Sequence, residues 1–101
     1  MSVAGEIINL QEAAAYTSNF RNANPGVRLA MTFSASIVGQ LLSSPGVASV
    51  RIYNGQNDDG DWVAVLVGVN AAGDDITDGV MIQRGIPCPD YCGGANALNG
   101  Q

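Results

Sequence analysis

The sequence predicts a single α+β domain in which two N-terminal helices pack on a small antiparallel sheet centred on a hairpin over residues 47–70. Helical spacing of apolar residues is confined to the first half of the chain, and the strand-like runs follow it. The alternating strands and helices of a dinucleotide-binding fold are missing from the pattern. A chain of 101 residues supports one core and leaves little for a second. We therefore expect one domain over residues 1–94 and a flexible C-terminal tail over residues 95–101.

A first helix is predicted over residues 6–22. Its apolar residues fall close to the three-and-four spacing of one helix face, as Leu10, Ala14 and Phe20 do. A run of three alanines adds the highest helix propensity available. Pro25 should end the helix, because proline disfavours a helical conformation at the residue before it.

A short second helix is predicted to end near Ser44, where a Pro-Gly pair follows. The segment before it, residues 27–33, is too short and mixed to indicate a strand or a helix, and we expect it to be irregular. Either Ser34 or Ser36 can act as the N-cap by accepting a backbone N–H bond. The apolar stripe of this helix comprises Ile37, Val38, Leu41 and Leu42.

The hairpin is the clearest pattern in the chain. Two β-branched and aromatic runs, residues 47–54 and 61–70, flank a turn-forming segment at residues 55–60. The first run alternates, so one face should be buried and the other wet. The second run is apolar at nearly every position, which indicates a central strand covered on both faces or a strand facing a partner chain. Tyr53 and Trp62 flank the turn and are expected to be near cross-strand neighbours.

The part of the chain after the hairpin is rich in turns. Residues 71–79 read as a loop, and residues 80–84 are expected to add a short third strand. The next segment, residues 85–94, contains two prolines and three glycines and is expected to be fixed but non-repetitive.

Composition and charge exclude several classes of function. Four arginines and no lysine stand against nine carboxylates, and the resulting charge of −5 repels phosphate backbones, so no nucleic-acid partner is expected. No apolar run approaches the roughly 20 residues that cross a bilayer, so no membrane partner is expected. Histidine is absent, which removes the commonest acid/base and transition-metal ligand. We assign no catalytic residue and no cofactor, and we expect that the protein is not an enzyme.

The same composition favours self-association. Only 13% of residues are charged, so few charged side chains are available to keep the surfaces of separate molecules apart. The expected function is therefore that of a small non-enzymatic protein acting through self-association, as a homo-oligomer, or through binding a protein partner. The N-terminus lacks the basic start and apolar block of a signal peptide, so the cytoplasm is the default expectation for the chain as given.

Cys88 and Cys92 form the most distinctive local feature. Their spacing suits a short-range disulfide, but two unpaired structural thiols fit it nearly as well. As a metal site the pair supplies half of a four-ligand zinc set, so a symmetric dimer would have to supply the rest. A redox pair fits least, because three residues separate the cysteines instead of two. The alternative function is thus a metal or small-ligand binding module that uses Cys88 and Cys92, with the disulfide and structural-thiol interpretations favoured over the metal.

Two acidic segments invite a calcium interpretation. Counting ligands from Asn57 through Asp59 and Asp61 places Trp62 where an EF-hand needs glycine, so a solvated hairpin tip is favoured. A wet turn is likewise favoured for the second segment, although two loops at the same end of the sheet would be able to share a cation. Arg51 is expected in an exposed ion pair. The second segment contains Asp74, Asp75 and Asp78.

Several stretches together resemble a pattern found in short uncharacterised bacterial proteins. These stretches are Pro-Gly at residues 45–46, Val-Arg-Ile-Tyr at 50–53, Val-Leu-Val-Gly-Val at 65–69, Gly-Asp-Asp at 73–75 and Pro-Cys-Pro-Asp-Tyr-Cys at 87–92. Such proteins similarly show a helical first half, an Arg-Ile-Tyr strand, a Leu-Val-Gly-Val strand and a Pro-Cys-Pro-x-Tyr-Cys end. The resemblance covers about residues 24–92, and it implies no activity and no site residue.

Overall fold

The computed structural model of the protein describes residues 4–89 and 91–100. The described part confirms the α+β class, because two helices combine with two small sheets whose strand pairs are all antiparallel. The elements in chain order are α1 (Leu10–Ala23), β1 (Ala30–Thr32), α2 (Ala35–Leu42), β2 (Ser49–Gln56), β3 (Trp62–Val69), β4 (Met81–Ile82) and β5 (Ile86–Cys88).

The hairpin forms where the sequence predicts it. β2 and β3 pair along their whole length in one continuous register, from Ser49 opposite Val69 to Gln56 opposite Trp62. At the tip, the side-chain oxygen of Asn57 accepts bonds from two backbone N–H groups at 3.0 Å each, which holds the turn closed. β4 pairs with the other side of β3, so the strand order is β2-β3-β4 with β3 at the centre.

The second sheet is a ribbon that corrects one prediction. Residues 27–33 were expected to be irregular, but β1 lies within them and pairs with β5, with Ala30 opposite Cys88 and Thr32 opposite Ile86. The expectation of a non-repetitive segment at residues 85–94 was likewise wrong over β5. Both strands are only three residues long, and each depends on a partner far away along the chain, so neither has a local pattern that indicates it.

Both helices begin at side-chain caps. α1 begins four residues later than predicted because Asn9 is its N-cap, with its side chain accepting the N–H of Glu12 at 2.8 Å. Ser34, not Ser36, caps α2 by accepting the N–H of Ile37 at 3.1 Å. The two helices differ in packing, since α2 buries Leu41 whereas α1 buries none of its residues.

The hydrophobic core lies between α2 and one face of the hairpin sheet. Leu41 of α2 is 1% exposed and packs with Ala64, Leu66 and Ile82. The absence of a side chain at Gly68 makes room for this contact, because a Cβ there would lie 2.7 Å from the Cγ2 of Val47 and 3.5 Å from Leu41. Four partly buried residues pack around this cluster: Met31, Phe33, Val50 and Trp62.

The opposite face of β3 is covered as well. Val67 and Val69 are buried on it, and the register places Arg51 and Met81 on the same face beside Val67. The strand is therefore covered on both faces, which was one of the two predicted alternatives for its apolar sequence. No helix in the described ranges has the length and hydrophobicity required to cross a membrane.

Candidate functional site

The most informative feature of the molecule is how much surface it leaves exposed. The chain has an accessible surface of 7290 Å², whereas a compact monomer of 10.4 kDa is expected to expose about 5,400 Å². Its radius of gyration of 15.2 Å also exceeds the roughly 12.7 Å of a compact domain of this length. The chain thus exposes about 1,900 Å² more than a compact monomer would.

Many of the exposed side chains are large and apolar. Among the described residues, fewer large apolar side chains are buried in the core than are left exposed at the surface. The exposed set extends over α1, α2, the hairpin, β4, β5 and the C-terminal segment of residues 91–100, and includes Leu10, Tyr16, Phe20, Ile37, Leu42, Ile52, Met81, Ile86 and Tyr91. Several elements of the chain therefore leave apolar side chains that a partner would cover.

β2 forms an open edge of the hairpin sheet. It pairs with β3 on one side, and within residues 4–89 and 91–100 no strand pairs with its other side. Its eight residues contain no proline and no lysine, which are two common devices that protect an edge. Ile52 at its centre is 63% exposed. The open edge therefore presents unpaired backbone groups around an apolar side chain.

An electrostatic cluster lies on the second face of the same strand. The Arg51 guanidinium contacts Oδ1 of Asp75 at 2.6 Å and donates a second bond to the carbonyl of Gly73 at 3.3 Å. The Tyr53 hydroxyl donates to Oδ2 of Asp75. The Tyr53 hydrogen bond, aided by Arg51, lowers the pKa of Asp75 below its ordinary value. The cluster gives Arg51 the ion pair that the sequence predicts, and it fastens the loop after β3 to β2.

The two acidic segments do not form a shared cation site. The hairpin tip precedes β3 and the segment with Asp74 and Asp75 follows it, so the two lie at opposite ends of an eight-residue strand. Asp75 is already engaged by Arg51 and Tyr53. No group of three or more metal-ligating residues occurs in the part of the chain that the structure describes.

The expected contact between Tyr53 and Trp62 is wrong. Tyr53 lies opposite Val65 and Trp62 opposite Gln56, so the two rings point to opposite faces of the sheet. Trp62 instead donates its indole N–H to the side chain of Asn54 at 2.8 Å. Sequence reasoning missed this pairing because it depends on the exact hairpin register, and a shift of one residue moves every side chain of a strand to the other face.

Cys88 and Cys92 are joined by a disulfide with a Cα–Cα distance of 4.6 Å. Cys88 is buried in β5, and the N–H of Tyr91 bonds to the carbonyl of Pro87 at 3.0 Å, which keeps this turn tight. A sulfur atom in a disulfide is not a thiolate, and the thiolate is the form that binds metal. The predicted metal role of the pair therefore stays a prediction about the reduced protein.

A cleft of about 480 Å³ lies beside the disulfide, between α1, the β1–β5 ribbon and the C-terminal segment. This volume is in the range of small-molecule sites. Arg21 spans its wall, donating to the carbonyl of Leu98 at 2.7 Å and approaching the Thr17 hydroxyl at 3.4 Å. No local pattern in the sequence indicates this cleft, whose apolar lining includes Tyr16, Phe20, Leu29, Tyr91 and Leu98.

The C-terminal segment makes contacts in this structure. The bond from Arg21 to Leu98 ties it to α1, and the Asn99 side chain donates to the carbonyls of Cys92 and Gly94. The predicted boundary between a domain over residues 1–94 and a flexible tail over residues 95–101 stays a prediction, and residues 1–3 and 101 lie outside the described residues.

No protein-family model, curated protein or solved structure matches this chain. The resemblance to short bacterial proteins stays a prediction.

Proposed function

We propose that this protein is a non-enzymatic assembly protein that functions as a homo-oligomer. The observation that carries the proposal is the excess exposed surface of about 1,900 Å² per chain. A standard protein–protein interface buries about 800 Å² on each partner, and obligate homodimers bury more. If this excess area is buried on both copies, the total interface area falls within the range of obligate homodimers. Contact with a second copy of the chain therefore accounts for the excess surface.

The character of the exposed surface favours a second copy over an unlike partner. In a two-fold interface the same patch meets itself, so the patch has to be self-complementary. Apolar side chains and an open strand edge meet this requirement, whereas a patch of one charge sign repels itself. Six of the nine carboxylates lie at the hairpin tip or in the loop after β3, and the one that reaches the middle of β2, Asp75, is paired there with Arg51.

The packing of both N-terminal helices on the hairpin sheet is part of the proposal. It is supported for α2 by the contacts of Leu41 with Leu66 and Ile82. For α1, it is supported by a second cleft in which Phe20 lies near Asn54 and Trp62 of the hairpin. In the oligomer, the exposed apolar residues of α1 would pack against other parts of the assembly and lose their contact with solvent.

A second candidate is a small-ligand binding module that uses the segment around Cys88 and Cys92. The observation that favours it is the cleft of about 480 Å³, which is lined by both cysteines and by apolar side chains. A metal-binding form of this candidate requires that the disulfide be reduced first, because both sulfur atoms are otherwise consumed.

Native mass spectrometry of the purified protein tests both candidates on one sample. The assembly proposal predicts a multiple of the chain mass with no added ligand, and a denatured chain that is lighter by two hydrogens until the disulfide is reduced. A single chain that retains a small molecule would replace the first candidate with the second. A metal retained only after reduction would select the metal-binding form.

A further inference from the structure

We infer that the open edge of β2 pairs antiparallel with the β2 edge of a second copy about a two-fold axis at Ile52, which joins the two hairpin sheets into one sheet of six strands. This inference rests on the proposed homo-oligomer and names the surface that forms it. The first observation that supports it is that the outer edge of β2 has no hydrogen-bonded strand beside it in the described residues. Beyond the hairpin, no hydrogen bond reaches the backbone of β2 in the described part of the chain. The backbone groups along the edge are thus available for pairing.

The usual obstacles to edge pairing are missing from β2. Natural edges are protected by short length, by β-bulges, by proline or by charged side chains. β2 is eight residues long, and its register with β3 is unbroken by a bulge. Its one charged residue is Arg51, and the contacts with Asp75 and Gly73 hold that guanidinium over the face of its own sheet. These contacts therefore hold the guanidinium over the sheet face, so it does not project across the strand edge.

Symmetry restricts the possible registers. A two-fold axis perpendicular to the sheet leaves each side chain on its own face. The axis therefore has to lie midway between the two copies of one β2 residue, which face each other across it. An axis at Arg51 places two like charges directly opposite each other, which is destabilising. An axis at Ile52 instead places Ile52 against its own copy and Arg51 against the Tyr53 ring of the partner, and an arginine beside an aromatic ring is attractive.

A second copy fits this edge better than a foreign strand does. The chain exposes about 1,900 Å² more than a compact monomer would, which exceeds the roughly 800 Å² that each partner of a standard interface buries. Pairing of β2 with itself also brings together the two exposed Ile52 side chains, which are otherwise 63% exposed. An isolated strand would supply only one side of this contact.

A disulfide cross-linking experiment tests the register. In an Ile52→Cys variant, the two new thiols face each other across the axis at the close spacing of a directly opposed strand pair, so a covalent dimer should form under mild oxidation. Ser49→Cys is the matched control on the same strand, because the two copies of residue 49 lie about 20 Å apart in this register. We expect at least tenfold faster cross-linking for Ile52→Cys than for Ser49→Cys, because the two thiols are held close together in the first variant and far apart in the second.

A second pair of variants tests the edge without a cross-link. Ile52→Lys places two lysines at the axis, and we expect it to raise the dimer dissociation constant about tenfold or more. Ser36→Lys is the control, because Ser36 is an exposed polar residue of α2 and does not belong to the exposed apolar set. Circular dichroism of each variant verifies that the hairpin remains folded.

The outcomes separate this inference from the proposed function. A wild-type dimer in which Ile52→Cys cross-links selectively and Ile52→Lys dissociates supports both. A wild-type dimer that is insensitive to both changes at residue 52 overturns the β2 pairing and leaves the homo-oligomer in place. A wild-type protein that is monomeric at every concentration overturns both.

Discussion

Replacing Leu41 by alanine should cost far more stability than the same change at its neighbour Leu42. Leu41 is 1% exposed and packs under the hairpin sheet, whereas Leu42 is 56% exposed on the same helix. The change removes three carbon atoms, worth about 0.8 kcal/mol each when they are fully buried. The cavity left against Leu66 and Ile82 adds to this, so we expect a loss of about 3–4 kcal/mol for Leu41→Ala.

Leu42→Ala supplies the matched control. With more than half of its side chain exposed, Leu42 loses less than half of the transfer energy, and we expect a cost of about 1 kcal/mol. The free energy of unfolding of each variant is measured by urea titration at one fixed protein concentration, since oligomerisation makes stability depend on concentration. Equal losses for the two variants would refute the packing of α2 on the sheet through Leu41.

Two further predictions concern the hairpin and its loop. Gly68→Ala should destabilise the protein by about 1–3 kcal/mol, because the new Cβ would lie 2.7 Å from the Cγ2 of Val47, and Val47→Ala in the same chain should recover part of that loss in a urea titration. Asp75→Asn should lower stability near neutral pH. Because folding lowers the pKa of Asp75, its carboxylate contributes fully to the free energy of unfolding above the unfolded carboxyl pKa of about 3.9. This contribution to stability is lost as the pH falls through the pKa of Asp75 in the folded protein. The stability difference between wild type and Asp75→Asn should therefore vanish in acid, and a difference that grows as the pH falls would contradict the assigned contacts.

Local patterns in the sequence predict the elements whose signals are short-range. The hairpin follows from two apolar runs around a polar turn, and the cap of α2 follows from a serine before an apolar stripe. The start of α1 was misplaced because Ile7 and Ile8 continue the apolar pattern, although Asn9 is the residue that caps the helix.

Features that depend on distant partners are less accessible to sequence reasoning. The β1–β5 ribbon requires that residue 30 meets residue 88, and nothing local in three residues indicates this pairing. The role of Asp75 depends on the loop after β3 returning to the face of β2, which brings it to Arg51 and Tyr53. The disulfide was among the predicted alternatives for Cys88 and Cys92, because their spacing alone limits the geometry.

The candidate interaction surface was only partly indicated by the sequence. Low charge and a strand that is apolar throughout suggested self-association, but that strand, β3, lies at the centre of the sheet and is covered on both faces. The surface left open belongs to β2, whose alternating sequence indicated an ordinary half-wet strand. Strand order decides which strand is the edge, and strand order is a property of the whole chain.

Sedimentation equilibrium of the wild-type protein over a wide concentration range is the most direct test of self-association. The exposed surface predicts a particle of at least twice the 10.4 kDa chain mass that dissociates, if at all, only on dilution. A particle of one chain mass at the highest concentration reached would contradict the proposed assembly, and with it the pairing of β2 edges.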